Sequence, residues 1–208
     1  MSAKGGKPKY TLTYFNLRAR GEVARLLFVY AGKDFVDERI EQKDWPKLKP
    51  KTPGGTLPYL TIDDKTFGQS LAIVRYLASE FGLFGKTKLE QLAADEMLED
   101  VEDMMKTVIK PVFETDEAKK AELLKEFEDK LLPAFVKKHE DKLPTSGHYV
   151  GKTFTVADFA VHDILDGITK RGGDKCLANA PKLKALMAKV REDKRIKEYL
   201  KKRPDTVM

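Results

Sequence analysis

Tyr10-Thr11-Leu12-Thr13-Tyr14, then Phe15-Asn16-Leu17-Arg18-Ala19-Arg20-Gly21, then Glu22 to Ala31, is the stretch on which the fold turns. Its first five residues are β-branched, aromatic or leucine, and the run is short, as a strand should be. From Glu22 the period changes. Val23, Leu26, Leu27 and Tyr30 fall at i, i+3, i+4 and i+7, the stripe of an amphipathic helix, and Gly32 stops it. Outward from this strand–helix unit, the pattern predicts a second strand over 35–40 and a third over 57–62. A turn at Asp63-Asp64 leads into a short fourth strand at Thr66-Phe67. Ser70 reads as the N-cap of a helix through Ile73, Val74 and Leu77 to Gly82. The order β-α-β, an irregular stretch, then β-β-α predicts a small mixed sheet flanked by helices.

Beyond residue 88 no segment reads as a strand. The periodicity predicts helices over 89–108, 117–142, 156–170, 180–190 and 195–200. Thr155 and Asp158 have capping-box spacing, since a carboxylate three residues on can reach back to the Thr amide. The expected class is α/β followed by all-α: a first domain over 8–83, a linker over 84–88, and an all-helical domain over 89–208.

Composition narrows the function. The 208 residues are 41% hydrophobic, enough for a real core. Lys and Arg number 39 against 33 Asp and Glu, a net charge of +6. Bases and acids interleave, as in Lys119-Lys120-Ala121-Glu122, the pattern of solvated helix faces rather than of a nucleic-acid surface. One cysteine excludes an internal disulfide framework, and His139, His148 and His162 have no ligand-like spacing, so no metal is expected. Apolar runs such as Leu26 to Ala31 are about a third of a membrane span. Met1 to Lys9 is polar with no apolar segment behind it, so no secretory signal is read there. The expectation is a soluble, cytoplasmic protein with neither nucleic-acid nor membrane partners.

Three places could carry chemistry. At the first strand–helix junction, a phenol (Tyr14) is followed by Arg18 and Arg20 near a helix N-terminus, a combination that favours an anion. The alternative is a sheet-edge aromatic with two solvated arginines. Gln69-Ser70 opens a helix, where a hydroxyl and free amides suit a carboxylate, or simply cap. Thr56-Leu57-Pro58-Tyr59 puts a proline, and so a candidate cis bond, at a strand start. Asp95, Glu99, Glu102 and Asp103 share one helix face, which either is solvated or meets a cation of a ligand or partner. Cys176 has no nearby histidine and reads as incidental.

Taken together, Tyr10 to Asn16, Asp44-Trp45-Pro46, Leu57-Pro58, Gln69-Ser70-Leu71-Ala72-Ile73 with Arg75-Tyr76-Leu77, and Thr155 with Ala157-Asp158 resemble the cytosolic glutathione S-transferases, nearest the sigma class. The resemblance runs from about Lys9 to Pro204. It implies a thioredoxin-like first domain, an all-helical second domain and a homodimer. It also implies reduced glutathione as co-substrate, with no permanently bound cofactor. Tyr14 would then hydrogen-bond the glutathione sulfur, with Arg20 as a second cation. Trp45 and Lys49 would contact the glycine end, and Leu57 and cis Pro58 the cysteinyl part. Gln69 and Ser70 would hold the γ-glutamyl carboxylate, and Asp103 of a neighbouring subunit the ammonium group. Phe15, Leu17, Arg18, Met105 and Lys110 would line the pocket for small hydrophobic electrophiles. Ala19 and Gly21 depart from the family pattern, which commonly has Gly and Ala there; Thr56 replaces a longer polar residue, and Glu102 an Asp. Lys110 stands where prostaglandin synthases carry a large aromatic. The implied activity is conjugation. The alternatives are a glutathione-dependent isomerase or lipid-peroxide reductase, and a non-catalytic, crystallin-like relative.

Overall fold

The computed structural model describes residues 8–172 and 174–206. Most of the polar start, residues 1–7, on which the absence of a secretory signal was read, lies outside the described residues. So do Gly173, beside the Cys176 turn, and the last two residues of the expected helical domain. No helix among the described residues is long and apolar enough to cross a membrane.

Strand β1 (Tyr10–Phe15) feeds helix α1 (Ala19–Ala31), which ends at Gly32 with φ of 62°, a left-handed cap whose amide reaches the carbonyls of Phe28 and Val29. β2 (Val36–Ile40) returns parallel to β1, while β3 (Tyr59–Ile62) pairs antiparallel with β1 and forms a hairpin with β4 (Lys65–Gly68). The sheet order is β2-β1-β3-β4, so β1 is central and Tyr14 is not a sheet-edge residue. The stretch before β3 is not featureless. It holds a one-turn helix α2 (Trp45–Leu48) between 3-10 turns at Gln42–Asp44 and Lys49–Lys51, because Pro46, Pro50 and Pro53 each tolerate only the first positions of a turn. The Leu57–Pro58 bond is cis.

Helix α3 (Ser70–Glu80) corrects one expectation: the residue before it is Gln69, at φ of 72°, and no side chain caps the helix, so Ser70 is its first residue rather than its cap. α4 (Lys88–Phe113) starts on a full capping box between Thr87 and Glu90, and runs past the expected end at Val108 through Pro111. Burial of Met104 and Pro111 holds its last turns. The single helix expected over 117–142 is three pieces, α5 (Glu117–Glu126), a π turn (Phe127–Leu131) and α6 (Leu132–Lys142). Then come α7 (Val156–Gly172), α8 (Pro181–Glu192) and α9 (Lys194–Lys202). Asp158 reaches back to the Thr155 amide at 2.8 Å, as its spacing predicts.

Leu26, Leu27 and Phe28 of α1, with Ile73, Val74 and Leu77 of α3, pack with Leu12 and Leu60 of the sheet. α7 is buried on almost every side, its polar residues Asp163 and Asp166 paired with Arg18, and packs on both α4 and α1. One continuous core results. It places the N-terminus of α1 where the sheet, α4 and α7 meet.

Candidate active site

Tyr14 leaves β1 with its ring buried, 6% exposed, against the first turn of α1. The contact is close because residue 21 is glycine. A Cβ there would lie 2.6 Å from Tyr14 Cδ1. Burial pushes the phenol above its ordinary pKa, while the backbone amide of Arg20 and the charges of Arg20 and Arg25 pull it back. The direction remains upward, so Tyr14 is an O–H donor at neutral pH. Its neighbour Phe15 packs edge-on against both Tyr14, at 5.7 Å, and Trp45, at 5.6 Å, which ties the short helix α2 to the junction.

The arginines of this junction are paired. Arg18 is 3% exposed and joins Asp163 at 2.9 Å and Asp166 at 2.8 Å on α7, so it borders the cleft as a neutralised cation. Arg20 donates to Glu102 at 2.7 Å. The acidic face of α4 therefore meets cations of its own chain. Arg75 takes Asp95 at 2.5 Å and also Glu99, Arg20 takes Glu102, and Lys106 takes Asp103 at 3.0 Å. Of these carboxylates Asp103 is the most open, its side chain 77% exposed.

Arg20, Ser70 and Met105 come together with Glu102 around a hollow of 40 Å³, and Arg18, Ala19 and Met105 around another of 20 Å³. These are smaller than ligand-sized pockets, which run to about 300 Å³ and more. An open hollow of 740 Å³ shares Arg20 with the first and adds Lys110, Lys106 and the exposed Phe113. Phe15 and Leu17 line none of these three. Phe15 packs on Trp45, and Leu17 gives its carbonyl to Arg25 at 2.6 Å. Leu57 is half-buried and Pro58 buried at the start of β3, while Lys49 and Gln69 are exposed. Trp45 is half-buried. Asp103 lines none of the three hollows. Cys176 is a half-buried thiol on a 3-10 turn away from this junction. No group of three or more candidate metal ligands exists among the described residues.

Sequence reasoning missed Glu22 and Arg25, and read Gly21 only as a departure from the family pattern. Glu22 and Arg25 are completely buried and bonded to each other, although charged residues in a helix read as its wet face. Their i, i+3 spacing was the available signal.

An arginine, a serine and the N-terminal turn of α1 share one hollow, and Tyr14 packs against that same turn without lining the hollow; these donors suit an anion. The comparisons agree. Two family models match, "Glutathione S-transferase, N-terminal domain" over residues 10–79 and "Glutathione S-transferase, C-terminal domain" over 102–203. "Glutathione S-transferase 1" of Ascaris suum is 40% identical over 96% of this chain and 98% of its own length. "Hematopoietic prostaglandin D synthase" of Gallus gallus is 37% identical over 97% and 100%. Among solved structures, rat hPGDS complexed with a quinoline superposes with a TM-score of 0.90 at 34% identity, covering 97% of this chain and 100% of that one.

Proposed function

We propose that this chain, which belongs to the glutathione S-transferase family, conjugates the thiolate of reduced glutathione to small hydrophobic electrophiles. The observation that carries the proposal is the Tyr14 phenol buried against the first turn of α1, where burial pushes its pKa upward. An ordinary thiol has a pKa of about 8.5, and only its thiolate is a good nucleophile. A phenol O–H aimed at the sulfur stabilises the charged form. If the site lowers the thiol pKa by about two, the thiolate gains roughly 2.7 kcal/mol and dominates at neutral pH. Because Tyr14 keeps its own proton, it donates a hydrogen bond without becoming a competing base. The electrophile is then attacked by sulfur, by substitution or Michael addition, with no metal or resident cofactor invoked.

The remaining roles follow the family likeness. Trp45 and Lys49 hold the glycine end, Leu57 and Pro58 the cysteinyl backbone, and Gln69 and Ser70 the γ-glutamyl carboxylate at the N-terminus of α3. Arg20, beside Ser70 and Met105, contributes positive charge, moderated by Glu102. Asp103 serves a neighbouring subunit's glutathione in a homodimer; its exposed carboxylate and its position outside the chain's own hollows support this. Met105, Arg18 and Lys110 border the electrophile, with Phe15 and Leu17 behind them. Residues 8–83 are the glutathione-binding unit, 84–88 the linker and 89–208 the helical unit. A sigma-class, cytoplasmic detoxifying enzyme is the fuller reading. A glutathione-dependent prostaglandin isomerase is the second reading, favoured by a relative of that name.

The test is initial-rate conjugation of glutathione to a chloro-dinitro-arene. Tyr14→Phe should lose about a hundredfold in kcat while still binding glutathione, read from the fluorescence of Trp45, the single tryptophan. Near wild-type turnover in Tyr14→Phe would remove Tyr14 from the mechanism.

A further inference from the structure

We infer that Arg25, acting through Tyr14, is a positioning residue for thiolate formation, a role that rests on the reading of Tyr14 above. Arg25 lies in the interior of α1 and is 0% exposed. Its guanidinium stands 5.9 Å from the centroid of the Tyr14 ring. The same guanidinium donates to the carbonyl of Leu17 at 2.6 Å and to that of Phe15 at 3.5 Å. Those carbonyls flank Asn16, so the fork spans the start of the turn that follows β1, one residue beyond Tyr14. Its remaining bonds go to Asp37 at 2.9 Å and to Glu22 at 3.2 Å.

The ring is thereby fixed against α1. Gly21 presents bare backbone to it, with no room for a Cβ, and the guanidinium lies beside that same backbone, itself held by carboxylates from α1 and β2. Any shift of the ring toward α1 would run into both. A buried ion pair is weak evidence of a role in stability, since an apolar side chain of similar volume often serves as well. What an apolar side chain cannot do is hold two loop carbonyls and place a positive charge over the ring. That charge stabilises the negative charge that develops on the phenol oxygen as its proton is shared, which makes the O–H more acidic and a better donor to sulfur. Lysine could supply the charge but not the planar fork.

The charged and titratable groups facing Arg25 are Glu22 on its own helix, Asp37 and Arg39 from β2, Tyr14 from β1, and Tyr199 with Arg203 from the end of α9. Glu22 accepts from Tyr199 at 3.0 Å and from Arg203 at 2.8 Å, so it keeps partners when Arg25 is changed.

The experiment compares full-length wild type, Arg25→Lys, Arg25→Gln and Tyr14→Phe by the pH dependence of kcat and KM for glutathione conjugation. Circular dichroism checks the fold and Trp45 fluorescence reports glutathione affinity. Arg25→Gln should lose at least about tenfold in kcat/KM near neutral pH. Its thiol-linked inflection should move to higher pH, with glutathione affinity changed less than about threefold. Arg25→Lys should fall between it and wild type, and it carries the test alone if Arg25→Gln fails to fold. Folded Arg25 variants that keep the wild-type inflection would overturn the inference, whether their rate is unchanged or lowered equally at every pH. Tyr14→Phe separates the two failures. If it alone shifts the inflection, Tyr14 stands and the role of Arg25 falls; if it too behaves as wild type, both fall.

Discussion

Two residues show how burial decides chemistry here. Tyr14 is buried with a donor-rich turn in front of it, and its proton stays on because an isolated phenolate would be desolvated. Glu22 is buried as deeply, but Arg25, Tyr199 and Arg203 all donate to its carboxylate. Removing that carboxylate leaves Arg25 with Asp37 and Arg203 with Asp166, one carboxylate fewer for two buried guanidinium groups. Glu22→Gln should therefore cost about 3 kcal/mol of stability, read as a lower denaturant midpoint at unchanged slope. A midpoint within about 0.5 kcal/mol of wild type would show that Asp37 and Asp166 suffice to hold both cations.

At the scale of elements, legibility followed period and failed where distant partners decide. β1 and the body of α1 were plain because the period switches from extended to helical across Asn16. The first turn of α1 was missed because Ala19-Arg20-Gly21 offers neither an apolar stripe nor a cap. Ala19 carries φ of 27°, a conformation that a sequence rule assigns to glycine. α4 ran past its expected end because buried contacts at Met104 and Pro111 outweigh the local signal of the proline. The acidic face of α4 could not be interpreted locally, since its cations Arg75 and Arg20 come from α3 and α1. In the site, Tyr14 and Ser70 were visible as residue types at a strand end and a helix start. Arg25 was not, because a charged side chain beside an apolar stripe reads as solvated until its carboxylate partners are in place.

At the scale of the whole molecule, buried titratable groups couple the fold to pH. Burial lowers His139 to about 4 and His162 to about 3, so both are neutral when folded and take up protons near pH 6.5 when unfolded. Between those limits the unfolded chain binds more protons, and each histidine weakens the fold by up to about 1.4 kcal/mol per pH unit as pH falls. Asp163 opposes them. Burial outweighs its contact with Arg18 and raises its carboxyl to about 7, so over about pH 4 to 7 it favours the fold as pH falls. Asp158, which burial also raises, works in the same direction as Asp163. The histidine share is therefore read by difference: the stability of wild type relative to His162→Phe should fall steadily from about pH 6.5 down to 4. A difference that stays flat would mean that His162 is not held neutral.

The central claim is that Tyr14 stabilises the glutathione thiolate, and the most direct measurement is the ultraviolet titration of bound glutathione in wild type and Tyr14→Phe, with each protein alone subtracted. The wild-type complex should show thiolate absorbance well below the ordinary thiol value of about 8.5, and the variant complex should titrate close to it. Identical titrations in the two complexes would contradict the account, because the thiolate would then owe nothing to the phenol.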